Sequence, residues 1–380
     1  MSKYHIVRLG ELISPANVIK CGTNIYPVLS MTMHDGIVLQ SNRFKKSLAS
    51  LDTSEYKVVK EGQLVVGFPI DEGVLYIQHH SFEGIMSPAY DVYNVDYSRI
   101  TGVYLESALH SPQSMQYYAS KLRGTTARRR SIPKKDLFEL LIILPDLATQ
   151  KHITDIISYA NKLIEICKSI LEKTDTLVKS RFVEMFEDLK DRRTIADLCS
   201  IITDGTHQPP KFSQSGIPFL FVSNIVKNEI TYNAEKFISE ETYNELYKRT
   251  PIEIGDIILS TVGSYGHPAV VKTDRKFLFQ RHIAYLKPIS SVINSIYLHS
   301  AILSNDAQRQ IEERVKGIAQ KTLNLSEIRK ITIPIAPIPL QQQFADFVAQ
   351  TDKSKYCLVG EQILGKAEML IELLNQEYFG

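Results

Sequence analysis

Cysteine is scarce in this sequence: Cys21, Cys167, Cys199 and Cys357 are widely spaced and form no Cys-x-x-Cys pair. This distribution excludes a disulfide framework and a thiolate metal site, and it fits a reducing compartment. No stretch approaches the roughly 18 apolar residues that a membrane-spanning helix needs, and the polar start MSKYHIVRLG lacks the apolar core of a signal peptide. We therefore expect a cytoplasmic protein with no membrane contact.

Neither sign of charge dominates, since 44 Lys and Arg residues face 42 Asp and Glu residues for a net charge of +2. The field of the whole molecule is weak, so affinity for nucleic acid would have to come from local basic patches. Hydrophobic residues make up 44% of the chain, which excludes a disordered protein. The length of 380 residues predicts two or three packed domains, at roughly 150 residues each.

Common catalytic motifs are also missing. The sequence contains no G-x-x-x-x-G-K-[ST] loop and no G-x-G-x-x-G fingerprint, which argues against a P-loop or Rossmann nucleotide site. It contains no H-E-x-x-H or G-x-S-x-G, and the segment HQPPKF around Pro209 departs from the Asn/Asp-Pro-Pro-aromatic element of amino-methyltransferases. Catalysis by this chain alone is not expected.

What the chain does contain is an internal repeat. The aligned pairs, in chain order, are Gly62 with Gly255, Ser87 with Gln280, Gly124 with Gly317 and Gln150 with Gln341. The offset is 193 residues for the first three pairs and 191 for the last, which indicates a two-residue deletion in the second half. A duplication of this length fixes the architecture more firmly than local propensities do.

Each half of the repeat combines a β-rich globular part with a long helix, which predicts a mixed α/β fold with pseudo-twofold symmetry. After Pro145, apolar residues recur at alternating steps of three and four, the spacing of a coiled coil. The second helix contains Gly360 and Gly365 and needs a partner, which an antiparallel pair of the two helices would supply. Alternatively, each helix packs on its own domain. The predicted segments are a globular domain at 1–145, a central spacer helix at 146–190, a second globular domain at 191–337 and a C-terminal spacer helix at 338–380.

Two basic segments are candidates for contact with DNA phosphates. Seven basic residues and no acidic residue lie between Lys121 and Lys135, and a weaker version recurs in the second half. The candidates are Lys121, Arg123, Arg128, Arg129 and Arg130 in the first half, and Lys316, Gln320 and Lys321 in the second. A solvated run of charge is the alternative interpretation.

Other loops carry residue types that contact base edges, beside glycines that allow close approach. The candidates are Thr32, His34, Asn42, Arg43, Lys45 and Lys46 in the first half, and His207, Lys211, Ser264, Tyr265, His267 and Arg281 in the second. Ordinary surface loops are the alternative. Asp204 and His207 also suit a metal-binding or acid/base pair, or a turn in which the Asp204 carboxylate caps backbone N–H groups.

Taken together, these segments resemble the specificity subunit of type I restriction–modification enzymes. The resemblance covers the whole chain and rests on MSPAYDVY, GTTARRRSIPKKDLFELLIILPDLATQKHI, ITDGTHQPPKF and GIAQKTLNLSEIRKITIPIAPIPLQQQF. It implies that each globular part is a target recognition domain that reads one half of a split, asymmetric site in double-stranded DNA. The helices would set the gap between the half-sites.

The resemblance also implies partners. Two modification subunits carrying S-adenosylmethionine would dock on the helices and methylate adenine N6, and a restriction subunit would add cleavage that depends on ATP and Mg. This chain would bind no cofactor or metal and would not itself be an enzyme. The residues assigned to partner binding are Ile153, Ile156, Leu163, Ile170, Val359, Ile363 and Leu370. The alternatives are a metal-dependent nuclease using Asp204 and His207, or a protein adaptor that acts through its helices.

Overall fold

A computed structural model describes residues 4–33, 35–43, 52–123, 130–317, 320–359 and 361–380, with no side-chain description at 42–43, 354, 356–359 and 361–362. The chain divides into two compact units. The first unit comprises Met1–Cys167 and Glu361–Gly380, and the second comprises Lys168–Gly360. Each unit therefore contains one globular part and portions of the long helices.

The strands and helices follow in chain order. The strands are β1 (His5–Arg8), β2 (Ile13–Pro15), β3 (Leu29–Met31), β4 (Ile37–Leu39), β5 (Lys57–Val59), β6 (Leu64–Val66), β7 (Leu75–Ile77), β8 (Gly84–Met86), β9 (Asp91–Val95), β10 (Leu141–Leu144), β11 (Arg192–Thr194), β12 (Cys199–Asp204), β13 (Ile217–Leu220), β14 (Lys236–Ile238), β15 (Ile257–Ser260), β16 (Pro268–Val270), β17 (Leu278–Phe279), β18 (Ile283–Pro288) and β19 (Thr332–Pro334). The helices are α1 (Gln40–Arg43), α2 (Gly102–Leu109), α3 (Pro112–Lys121), α4 (Lys134–Phe138), α5 (Leu147–Phe186), α6 (Ile195–Leu198), α7 (Glu240–Tyr247), α8 (Ser295–Ile302), α9 (Asn305–Arg314), α10 (Leu325–Ile328), α11 (Ile338–Val359) and α12 (Glu361–Tyr378).

Each unit is built on a four-stranded antiparallel sheet. The strand order is β2-β9-β6-β7 in the first unit and β12-β18-β15-β16 in the second. The outer strands of each globular part, β1 with β10 and β11 with β19, pair with one another just before α5 and α11 begin. The second unit adds β14-β13-β17, in which β13 and β17 run parallel. These elements confirm the predicted mixed α/β class.

The internal repeat recurs as the same local structures in both units. Gly62 and Gly255 have left-handed backbones, with φ of 79° and 93°, in the turns that precede β6 and β15. Thr101 and Asn294 both cap a helix, because their side chains accept from Tyr104 N and from the amides of Ile296 and Tyr297. Residues 193 positions apart in the sequence therefore occupy equivalent places in the two units.

The two aligned glutamines are fully buried and make matching hydrogen bonds. The Gln150 side chain donates to the carbonyls of Arg99 and Pro145, both at 2.8 Å, and accepts from Thr101 N at 2.8 Å. Each glutamine is close to the start of a long helix, α5 or α11. The amide thus ties that helix to the globular part of its own unit.

The predicted central helix at 146–190 corresponds to α5, and the predicted C-terminal helix at 338–380 corresponds to α11 and α12. In the second unit α5 and α11 run antiparallel, because Lys355 pairs with Asp175 while the ring of Phe344 lies 5.4 Å from that of Phe182. In both units a helix end also enters the globular core, so both interpretations of the helices describe part of the structure.

The coiled-coil seam of α5 is only half covered. The buried residues Ile153, Ala160 and Cys167 are spaced by seven, whereas Leu163 and Leu177 are 41% and 52% exposed. Among the described helices, none combines the length and apolar character needed to cross a membrane. The predicted domain limits stay predictions, although β10 ends at 144 and β19 at 334, close to those limits.

A partly buried histidine makes the stability of the second unit depend on pH. His299 Nε2 donates to the carbonyl of Asn228 at 3.2 Å, and burial lowers the pKa of His299 to about 4. An unfolded histidine titrates near 6.5, so the unfolded chain takes up a proton first. The contribution of His299 to stability is complete above about pH 6.5 and is lost as the pH falls toward 4.

We expect the free energy of unfolding to drop by roughly 1 to 3 kcal/mol over that interval through His299 alone. Urea unfolding at pH 7, 6, 5 and 4 measures it, and His299→Gln should flatten the dependence while the exposed His152→Gln leaves it unchanged. An identical pH slope in His299→Gln and the unaltered chain would contradict this assignment.

Candidate nucleic-acid interface

A basic hairpin follows α3 in the first unit and α9 in the second. Backbone hydrogen bonds join Arg123 with Ser131 at 2.9 and 3.3 Å, and Lys316 with Thr322 at 3.0 and 2.8 Å. Seven residues lie between the paired residues in the first unit and five in the second. The two-residue deletion predicted from the repeat therefore lies within this hairpin.

The hairpin is fixed in both units to the turn that follows β6 or β15. The amide of Ile70 donates to the carbonyl of Arg130 at 3.2 Å, and the amide of Gly263 donates to the carbonyl of Lys321 at 3.1 Å. These four residues are equivalent in the repeat. Each unit thus presents a hairpin from the predicted basic segment in the same local setting.

Arg130 is held by acidic neighbours. Its guanidinium pairs with the carboxylates of Asp71 and Glu72, and all three side chains are largely buried. Both terminal nitrogens of the guanidinium are therefore occupied, and the charge of Arg130 is compensated within the protein. The two ion pairs stabilise the contact between the hairpin and the turn that follows β6. The sequence prediction counted Arg130 as a free phosphate contact, which these ion pairs contradict.

Lys321 lies in a more open cluster. Its Nζ is 3.3 Å from Tyr265 Oη and 3.4 Å from Glu312 Oε1, and these two partners raise the pKa of Lys321. All three groups lie near the protein surface, where such pairs contribute little to stability. The lysine can therefore exchange Glu312 for a phosphate at little cost. The structure brings the predicted residues Tyr265 and Lys321 together.

The Asp204 loop is closely packed. A Cβ atom at Gly205 would lie 2.2 Å from the carbonyl oxygen of Phe279, so only glycine fits there. Asp204 Oδ2 is 3.0 Å from His207 Nε2, and Asp204 Oδ1 accepts from Arg249 Nη2 at 2.7 Å. The carboxylate therefore pairs with side chains, whereas one interpretation of the sequence expected it to cap backbone N–H groups.

This arrangement does not resemble a metal centre. Both Asp204 oxygens already have partners, and within the described residues no three His, Cys, Asp or Glu side chains converge as metal ligands. His207 is half exposed at the edge of the loop. The acid/base and metal interpretations of Asp204 and His207 gain no support, and His207 stays a candidate for contact with DNA.

A polar cleft of about 460 Å³ opens between loops of the second unit. Its walls are formed by Asp204, Thr261, Val262, Arg281, His282, Gln320, Thr322, Leu323, Asn324 and Leu325. Burial and the charge of Arg281 lower the pKa of His282, which keeps its imidazole neutral. The cleft brings together two predicted residues, Arg281 and Gln320, with Asn324 and His282, which the sequence analysis missed. No local pattern in the sequence indicates that these loops meet.

The other predicted contacts in the second unit are spread along the same loops. Lys211 and Ser264 are exposed, as is Lys316 at the start of the hairpin. His267 is partly buried, and its Nδ1 lies 3.0 Å from Asn228 Oδ1. Burial lowers the pKa of His267, so the neutral ring donates this bond and serves the fold.

In the first unit the described candidates differ in exposure. Thr32 is buried, and its hydroxyl accepts from Asp35 N at 2.8 Å and donates to Gly36 O at 3.2 Å, so it holds a turn and presents nothing to DNA. Lys121 and Arg123 are exposed. Predicted residues outside the described part are His34, Lys45, Lys46, Arg128 and Arg129, together with the side chains of Asn42, Arg43 and Val359.

The described residues predicted to bind partners fall into three groups by exposure. Ile153 is 1% exposed inside the core of the first unit, which leaves it no surface for a partner and makes that assignment wrong. Ile156 and Ile170 are partly buried, whereas Leu163, Ile363 and Leu370 are exposed.

A second apolar stripe on α5 was missed by the sequence analysis. Tyr159 and Ile166 are 71% and 55% exposed and flank Leu163 at helical spacings of four and three. Met369 and Leu373 extend the exposed apolar surface on α12. The sequence analysis followed only the coiled-coil seam of α5. A search for a second apolar face with helical periodicity could have found Tyr159 and Ile166.

Part of the chain is similar to known proteins in sequence. Residues 187–364 match the family model described as the type I restriction modification DNA specificity domain. The chain is 23% identical over 267 residues to the EcoBI specificity subunit of Escherichia coli, an alignment that covers 61% of this chain and 56% of that protein. It is 22% identical over 210 residues to the MjaX specificity subunit of Methanocaldococcus jannaschii, covering 54% and 47%. The chain thus spans about half the length of the curated relatives it matches.

Solved structures extend the comparison to the whole chain. A type I restriction-modification S subunit from M. genitalium superposes with a TM-score of 0.59 at 13% identity, covering 100% of this chain and 96% of that one. A chain from a structural study of type I R-M complex assembly gives 0.57 at 16% identity, covering 98% and 96%. The chain thus matches the type I restriction modification DNA specificity domain over residues 187–364 and shares the fold of these solved chains along its whole length, in agreement with the resemblance seen in the sequence.

Proposed function

We propose that this chain is the DNA-recognition subunit of a type I restriction–modification complex and that it has no catalytic activity of its own. The observation that carries the proposal is the hairpin that follows α3 and α9, which is bonded to the same turn in both units and comes from a basic segment in each. Two copies of one arrangement suit a protein that reads two half-sites. The curated relatives, both named as specificity subunits, support the same conclusion.

Each globular part acts in this proposal as a target recognition domain for one half of a bipartite, asymmetric site. The helices set the distance between the half-sites; α5 alone has 40 residues and a length of about 60 Å. When two domains that each bind a short DNA segment weakly are held at a fixed separation, the whole protein binds selectively only to DNA that carries both segments at that distance. The arrangement requires only base and phosphate contacts from this chain, and no cofactor.

The helices also supply the surface for partners in this proposal. Tyr159, Leu163 and Ile166 form an exposed apolar stripe on α5 within the first unit. Exposed contiguous apolar side chains of this kind are typical of protein interfaces. Modification subunits that carry S-adenosylmethionine would dock there and methylate a flipped adenine, and a restriction subunit would bring the ATP- and Mg-dependent cleavage. The cytoplasm, where DNA and reduced thiols coexist, is the compartment that this function requires.

The test is to coexpress the chain with a candidate modification subunit and to map methylated adenines by sequencing the DNA. We expect a stable complex and a motif made of two short defined segments separated by a fixed gap. Replacing residues 1–145 with the equivalent part of another specificity subunit should change one segment and leave the other intact.

Three outcomes would contradict the proposal. Failure to form a complex with any modification subunit would favour the adaptor, whose binding would lack the steep salt dependence of phosphate contacts. A change in both segments after the domain exchange would contradict modular reading. Metal-dependent cleavage by the isolated chain that is abolished by Asp204→Ala/His207→Ala would favour the nuclease.

A further inference from the structure

The polar cleft of the second unit contains hydrogen-bonding groups without protein partners. Arg281 donates from Nε to His282 Nε2 at 3.3 Å, and its two terminal nitrogens have no partner among the described residues. The side-chain amides of Gln320 and Asn324 also lack partners within the described part of the chain, and both residues are exposed. Three free side-chain ends of the Arg, Gln and Asn types therefore face one cleft.

The charged groups next to them are satisfied. Asp204 in the cleft wall pairs with His207 and Arg249, and Lys321, next to Gln320, has partners in Tyr265 and Glu312. The absence of partners is therefore specific to Arg281, Gln320 and Asn324 within this group. These side chains stay available for a ligand that both donates and accepts hydrogen bonds.

Backbone hydrogen bonds fix the segments that carry these side chains. Arg281 N donates to the carbonyl of Thr206 at 3.1 Å, which anchors the backbone of the arginine to the Asp204 loop. On the other wall, Leu323 N donates to the carbonyl of Thr261 at 2.8 Å and positions the hairpin that carries Gln320. The two walls of the cleft are therefore held in place, while the three side-chain ends stay free to adapt to a ligand.

The first unit does not repeat this set. At the equivalent positions, Thr261 and Val262 correspond to Phe68 and Pro69, Arg281 and His282 to Pro88 and Ala89, and Asn324 to Pro133. Asn324 and Pro133 both stand immediately before a short helix, α10 or α4, which supports the correspondence. Apolar residues thus replace an arginine, a histidine and an asparagine. Whatever the cleft binds is specific to the second unit.

We propose that Arg281, Gln320 and Asn324 read base edges in the major groove of the second half-site, with Arg281 contacting a guanine; this rests on the proposed function. Arginine bonds to guanine O6 and N7, and Gln or Asn bonds to adenine N6 and N7. A phosphate could accept from Arg281 but offers no donor to the side-chain oxygens of Gln320 and Asn324 in the same cleft. Base edges, which offer donors and acceptors together, fit the set better. The first half-site is read by other residues.

The experiment uses the complex with the modification subunit and compares Arg281→Ala with the unaltered chain by mapping methylated adenines. We expect Arg281→Ala to lose the preference for guanine at one position of one half-site, by about tenfold to a hundredfold, while the other half-site stays unchanged. Gln320→Ala should relax a neighbouring position in the same half-site. The matched control is Arg275→Ala, which removes the same charge from an exposed arginine that lies 4.9 Å from the ring of Tyr232 and does not line the cleft.

An unchanged motif in Arg281→Ala would overturn the proposal. Uniformly weaker DNA binding with a shallower salt dependence and an unchanged motif would also overturn it, because that result identifies a phosphate contact. A change in the Arg275→Ala motif would do the same, since it would show that the loss of any charge suffices. Failure of the unaltered complex to give a bipartite motif would instead refute the function on which the proposal rests.

Discussion

Replacing Gln341 with leucine is expected to lower the free energy of unfolding of the second unit by about 3 kcal/mol. The glutamine is fully buried, and its side chain donates to Ala336 O at 2.7 Å and Val292 O at 3.2 Å while it accepts from Asn294 N at 2.8 Å. Leucine has a similar volume but leaves three backbone groups without partners, one of them buried and two partly buried. Hydrogen exchange of peptides from each unit, measured across a urea series, reports the loss separately for the two units.

Gln150→Leu serves as the symmetric comparison. Its side chain makes the equivalent three bonds in the first unit, so the loss should be similar in size but located in peptides of that unit. The exposed Gln376→Leu on α12 should change stability by less than about 0.5 kcal/mol. If Gln341→Leu also lowered the free energy of unfolding by less than about 0.5 kcal/mol, the three hydrogen bonds would contribute no more to stability than the bonds to water that they replace.

Phe186→Ala should have a still larger effect, about 3 to 5 kcal/mol, on the second unit. Phe186 is fully buried at the end of α5, and its ring lies 4.8 Å from Tyr297, 5.1 Å from Phe182 and 5.5 Å from Phe344. Alanine would leave a cavity between three aromatic rings that neighbouring groups cannot fill. Urea unfolding measures the loss, and the fold of the first unit should persist.

Phe379→Ala tests whether the equivalent aromatic has the equivalent role in the first unit. Phe379 corresponds to Phe186 by its contact, because its ring lies 5.0 Å from that of Tyr104, the counterpart of Tyr297. With one aromatic neighbour in place of three, the expected loss is smaller. The partly exposed Phe82→Ala should cost less than either substitution. Equal losses for Phe186, Phe379 and Phe82 would show that ring burial does not determine stability here.

The parts of the fold that could be predicted from sequence are those that repeat or depend on nearby residues. Gly62 and Gly255 both supply left-handed turns, and Gln150 and Gln341 both supply buried amides, so the alignment of like residues revealed like structures. The central helix could be predicted because the periodicity of apolar residues acts over a few residues. The start of α5 at 147 differs by one residue from the predicted start.

The parts that sequence could not give depend on contacts between distant residues. Arg130 was counted as a free charge because its partners, Asp71 and Glu72, precede it by 59 and 58 residues. Asp204 bonds with Arg249, 45 residues further on, and no local pattern links them. The polar cleft likewise forms only where separate loops meet. A prediction from charge density alone therefore overestimated the number of basic residues that are available to bind DNA.

The composition of the first unit has a consequence for biosynthesis. Its core includes Tyr378 and Phe379 beside Tyr104, so the globular part of the first unit cannot complete its core until residue 379 has been synthesised. The second unit is continuous from Lys168 to Gly360 and can be complete earlier. Domains usually fold in the order in which they are translated. Here we expect the reverse order for the two units. The first unit waits longer for its last structural contacts, and chaperones and proteases can act on it during that time.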